Sequence, residues 1–97
     1  MIAPAFFPEA EDDIAAAHAH YEERRMGLGD EFTQALRDVV DRLRTLPHTY
    51  GVVWRDIRAA PLKRFPYVVF YRARENAVLI IAVQHGRRSY RVWRRRI

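Results

Sequence analysis

The sequence predicts an α+β domain in which a two-helix antiparallel hairpin packs on one face of a small, mainly antiparallel sheet, in the order β-α-α-β-β-β over residues 1–97. Three observations carry that expectation. Leu28, Phe32, Leu36, Val39, Val40, Leu43 and Leu46 recur at helical spacing, the clearest periodicity in the chain. Upstream, Ala10, Ile14, Ala17 and Tyr21 repeat it at intervals of four, three and four, across a four-residue link at Gly27–Asp30 short enough to make the helices antiparallel. Downstream, Tyr67–Tyr71 and Val78–Val83 are β-branched and aromatic runs divided by Arg72, Arg74, Glu75 and Asn76, the pattern of a hairpin.

Taken in order, Met1–Phe7 is apolar enough for an edge strand whose Pro4 turns its missing N–H outward. Pro8 suits a first helical turn, and Glu9, Glu11, Asp12 and Asp13 follow where the helix dipole favours negative charge. This helix should end near Met26. Gly29 or Asp30 is available to cap the second helix, Arg42 and Arg44 suit its C-terminal end, and Pro47 stops it. Val52–Arg58 reads as one strand closed by Pro61. Tyr67–Arg72 and the apolar Ala77–Gln84 are a pair of strands, the latter central because it is apolar on both faces. His85-Gly86 ends it, and Arg87–Ile97 is either a last short strand or a turn.

A chain of 97 residues supports one core and one domain. No cysteine is present, which removes disulfides, thiolate metal sites and thiol nucleophiles. Ser89 is the only serine, and it stands near His85 with no neighbouring acid to complete a triad. The absence of an apolar run near ~18 residues, and of bases at the N-terminus, leads us to expect a cytoplasmic protein without a membrane partner. The net charge of +5 conceals a division: residues 1–48 sum to −5 and residues 49–97 to +10. The C-terminal half should therefore attract phosphates or an acidic protein.

Six arginines fall within Arg87–Ile97, interleaved with Tyr90 and Trp93. Arg87, Arg88, Tyr90, Arg91, Trp93 and Arg94 are accordingly the candidate target-binding rim, for single-stranded RNA or for an acidic protein, and Lys63, Arg64, Arg72 and Arg74 could extend it. His85 is either an acid or base or a structural anchor for the loop that follows. His18 and His20 are two residues apart on a helix, point to different sides, and are surface residues rather than a metal pair. With no Walker loop, no dinucleotide fingerprint and no strand-end carboxylate pair, neither a cofactor nor a metal is expected.

Several pieces together resemble the RelE/ParE superfamily of type II toxin–antitoxin toxins: Ala10–Ile14, Tyr21-Glu22, Gly27-Leu28-Gly29 with Phe32, Pro47 with Tyr50, Arg64-Phe65-Pro66-Tyr67 with Val69 and Tyr71, and Val83 with His85, Arg87 and Trp93. The resemblance covers nearly the whole chain. It implies a basic toxin neutralised by a cognate antitoxin, with Phe32, Leu36, Arg72, Arg74 and Arg87 as candidate antitoxin contacts. Within the superfamily the RelE-like branch cleaves mRNA on the ribosome, while the ParE-like branch inhibits DNA gyrase. The RelE-like ribonucleases carry an arginine where this chain has Val68 and a catalytic tyrosine where it has Trp93. That favours the ParE-like branch, with gyrase inhibited by protein binding. The alternatives are a ribosome-dependent mRNA endoribonuclease drawing on His85, Arg87, Tyr90, Lys63 and Arg64, and a non-toxic RNA-binding module.

Overall fold

The computed structural model describes residues 2–88 and 91–97. Helix α1, Pro8–Arg24, begins on the proline and carries Glu9 and Glu11 in its first turn, burying Ala10, Ala17 and Tyr21. Helix α2, Leu28–Thr45, buries Phe32, Leu36, Val39, Val40 and Leu43, the face that its periodicity marks out. Neither Gly29 nor Asp30 caps it, contrary to expectation. Gly27, at φ +87°, occupies the cap position, and the Glu22 carboxylate of α1 accepts the N–H groups of Gly27 at 3.2 Å and Gly29 at 2.8 Å. An acceptor from the preceding helix thus satisfies amides that a helix start leaves unpaired, and does so where the dipole favours an anion. Asp30 pairs instead with His18 at 3.1 Å. None of the helices described is long and apolar enough to cross a membrane.

The sheet comprises β1 Pro4–Phe6, β2 Val52–Trp54, β3 Ile57–Pro61, β4 Tyr67–Arg74 and β5 Ala77–His85, in the spatial order β1-β5-β4-β3-β2. Only β1 runs parallel to its neighbour. Two expectations need correction here. Val52–Arg58 is not one strand but a hairpin, turned at Arg55-Asp56 with Arg55 at φ +53°. Asp56 is fixed there by Arg72 at 3.0 Å and Arg74 at 2.8 Å, both from β4. The order is therefore β-α-α-β-β-β-β. The tail, which the sequence left as a strand or a turn, forms a one-turn helix, α3 Arg91–Arg94.

The helices cover one face of the sheet, where Ala60, Val69, Tyr71, Val78, Ile80 and Val83 meet Phe32, Leu36 and Leu43. Each such side chain contributes roughly 1.5–3 kcal/mol when fully buried. Within this layer Tyr21, Phe32, Phe65 and Tyr67 pack with ring centroids between 4.9 and 5.9 Å apart. Phe65, of the Arg64-Phe65-Pro66-Tyr67 motif, is thus a plug against both helices. The opposite face carries a second, smaller core of Ile57, Ile81, Ala82 and Trp93. A register shift explains it. Phe70 faces Ala82 and Tyr71 faces Ile80, leaving Ile81 as an extra residue, so Ile81 and Ala82 can both join the outer core.

Candidate functional site

Trp93 is not a rim residue. It is 1% exposed, stacks on Phe70 at a centroid distance of 4.7 Å and meets Trp54 edge-on at 5.8 Å. The reason is the bulged sheet face beneath it: Ile57, Ile81 and Ala82 offer an apolar floor that no other described helix covers. An indole buries more area there than any smaller side chain could. The one-turn helix therefore acts as a lid on the outer face, and Trp93 supports the rim from below instead of touching a partner.

Arg96 holds that lid down. Its guanidinium donates to both Asp13 oxygens, at 2.7 and 3.0 Å, and to the carbonyl of Ile81 at 3.0 Å. The Asp13 carboxylate also accepts the Val83 N–H at 3.0 Å. Strand β1 stops pairing with β5 at Phe6 opposite Ile80, so Asp13 and Arg96 serve the backbone of β5 where its neighbour has ended. Both are nearly buried, and the hydrogen bonds to Asp13 raise the pKa of Arg96 further. In the sequence Arg96 is one more arginine of the tail cluster and Asp13 one more acid at a helix start, and no local pattern links them.

What remains on the outer face is an apolar groove of about 310 Å³ lined by Val53, Trp54, Phe70, Trp93, Arg88 and Arg94, with Gly86 at its end. Trp54 lies between guanidinium groups, with Arg55 at 4.3 Å and Arg94 at 4.4 Å from its ring centroid, a geometry in which cation and ring attract each other. Val52 and Val53 are about half exposed, at 49% and 55%. They lie on β2, at the open edge of the sheet. Sequence reasoning passed over Val53, Trp54 and Arg55 because it placed them inside a strand. The adjacency of Trp54 and Arg55 was the available signal.

The other expected site residues fall in different places. Arg87 and Arg88 are exposed. Tyr90 and the side chain of Arg91 lie outside the described residues. Phe32 and Leu36 are buried at 0% and 5% exposure, so neither can touch an antitoxin while the core is closed. They form α2's inward stripe, and periodicity alone cannot separate a core contact from a partner contact. Arg72 and Arg74 are both engaged by Asp56. His85 anchors the following loop: its Nδ1 accepts the Arg87 N–H at 3.1 Å and its ring packs edge-on against Tyr67 at 5.6 Å.

Of the residues named for RNA cleavage, the four that are described do not share one cleft. Lys63 lines one beside Asp38, Arg42 and Tyr50, and Arg64 pairs with Glu31 at 2.7 Å. His85 lines another, with His20, Tyr67 and Gln84. Among the described residues His18, Glu22 and Asp30 bring three potential metal-ligand atoms within 4.8 Å of one another. Each already has a structural task in joining α1 to α2, as hydrogen-bond donor, cap and hydrogen-bond acceptor.

Comparison with known proteins gives concordant results. The family described as the ParE toxin of the type II toxin–antitoxin system, parDE, matches residues 5–90. Toxin ParE2 of Mycobacterium tuberculosis, from strains CDC 1551 / Oshkosh and ATCC 25618 / H37Rv, is 30% identical over 77 residues, covering 78% of this chain and 73% of the relative. A chain of the solved chromosomal ParDE TA system from P. aeruginosa superposes with a TM-score of 0.77 at 17% identity, covering 88% of this chain and 96% of that one. At that identity the superposition speaks for the fold alone.

Proposed function

The chain belongs to the ParE toxin family of type II toxin–antitoxin systems, and from that premise we propose that this ParE-like toxin inhibits DNA gyrase by binding it, without chemistry of its own. A cognate antitoxin is its partner in the system, and neutralises it by covering basic surface. The observation that carries the reading is the character of the outer face. Arg55, Arg88 and Arg94 surround the exposed Val53 and the half-buried Trp54 and Phe70 there, which suits a protein surface of complementary charge.

Two residues also speak against RelE-like cleavage. Val68 stands in the arginine position, and Trp93, in the tyrosine position, is buried and has no hydroxyl proton to give. The test is to incubate antitoxin-free protein with gyrase and relaxed plasmid. Loss of supercoiling at stoichiometric toxin is the expected result, and unimpaired supercoiling rejects gyrase as the target. Primer extension on translating message checks the competing reading, and new 5′ ends would establish it.

A further inference from the structure

The outer face leaves apolar surface uncovered beside its small core. Val53 leaves more than half of its surface exposed on an edge strand, next to an apolar groove of about 310 Å³ whose lining contains no acidic residue. Asp56, the acid in the adjoining turn, is already engaged by Arg72 and Arg74. Exposed apolar surface rimmed by charge of one sign marks an interaction site.

We propose that this groove docks an acidic segment of the toxin's target protein, which seats one apolar side chain between Val53, Trp54 and Phe70 and sets its carboxylates against Arg55, Arg88 and Arg94. The inference rests on the reading that the toxin acts by binding a protein, and adds where and by what chemistry. Charge selects the occupant. A second copy of this chain would bring more guanidinium groups to a face that already holds three, whereas an acidic segment neutralises them. The rings select protein over single-stranded RNA. Base stacking needs open aromatic faces, but Trp93 is buried and Trp54 is flanked by guanidinium groups at 4.3 and 4.4 Å. What is most open to a partner is Val53, and an apolar centre with arginine around it is how a protein interface is built.

The test compares growth after induction without antitoxin for wild type, Val53→Asp and Arg94→Glu, with Arg37→Glu as a control. Arg37 is exposed on α2, so its reversal changes net charge as much as Arg94→Glu does but away from the groove. Val53→Asp and Arg94→Glu should restore viable counts at least tenfold, while Arg37→Glu should arrest growth like wild type. Unchanged melting temperature and co-purification with the antitoxin keep misfolding out of the result. Growth arrest by Val53→Asp and Arg94→Glu equal to wild type would overturn the proposal. Loss of antitoxin binding at unchanged melting temperature would also do so, assigning the groove to the antitoxin, as would a parallel loss of affinity for a fluorescent oligoribonucleotide. The gyrase assay stands apart: if wild type leaves supercoiling intact while the groove variants still relieve growth arrest, gyrase is the wrong target and the groove stands.

Discussion

Asp13 and Arg96, 83 residues apart, form a two-armed ion pair at 2.7 and 3.0 Å, with side chains only 12% and 13% exposed. The pair also serves two backbone groups of β5, so removing one partner strands a charge and a backbone polar group together. Breaking a buried pair costs about 3–5 kcal/mol. Some access to solvent places Asp13→Ala near the lower end, about 3 kcal/mol. Asp13→Asn, which keeps an acceptor for the Val83 N–H, should lose less. Urea unfolding of both variants measures the difference.

Trp93 joins the outer core to the tail through Phe70, Trp54 and Ile81. Trp93→Ala should lower stability by about 3–5 kcal/mol, the range for truncating a buried aromatic. Trp93→Phe should cost less because a ring still fills most of the space. Trp fluorescence during unfolding of the Phe variant, which reports Trp54 alone, checks that the groove wall persists.

At Gly29 two effects oppose each other. Alanine gains roughly 1 kcal/mol of helix propensity over glycine, but a Cβ here would stand 2.7 Å from the His18 carbonyl oxygen and 2.7 Å from Glu22 Cγ. The carbonyl belongs to a helix backbone and cannot rotate away. The clash wins, and Gly29→Ala should destabilise by about 1–3 kcal/mol. Glu22→Ala, which removes the acceptor for two amides at the start of α2, should cost about 1 kcal/mol, the typical value for a lost cap. Thermal unfolding monitored by circular dichroism distinguishes these outcomes.

The acid limb of stability should depend on two carboxyls. Hydrogen bonds from Arg64 and then Arg25 hold Glu31 below its ordinary 4.5. Burial pushes Asp56 up, but Arg72 and Arg74 together outweigh it and hold it below its ordinary 3.8. A carboxyl with a lowered folded pKa contributes stability above its unfolded pKa and loses it as pH falls through the folded value. Wild type should therefore lose stability as the pH drops below the ordinary values, and Asp56→Asn and Glu31→Gln should each flatten that loss. Urea midpoints between about pH 7 and pH 3 give the measurement.

Much of this was legible in the residues. Helix α2 announced itself through seven apolar positions, and Pro8 and Pro47 marked real boundaries, because helical periodicity and proline stereochemistry are local. The β2–β3 turn was not legible, since Arg55-Asp56 contains neither Gly nor Asn and is held by arginines from β4. The same holds for the lid: whether Trp93 faces water depends on a register shift at Ile81 that no local pattern encodes. The charge of the tail and the exposure of Arg87 and Arg88 were visible in composition and spacing, but the aromatic wall of the groove was not, since it joins Trp54 of β2 and Phe70 of β4 to the buried Trp93.

The latch between Asp13 and Arg96 also makes the outer layer separable from the inner one. Were the clasp to open, the tail could lift and bare the apolar floor beneath Trp93, while the helix hairpin stayed packed on the opposite face of the sheet.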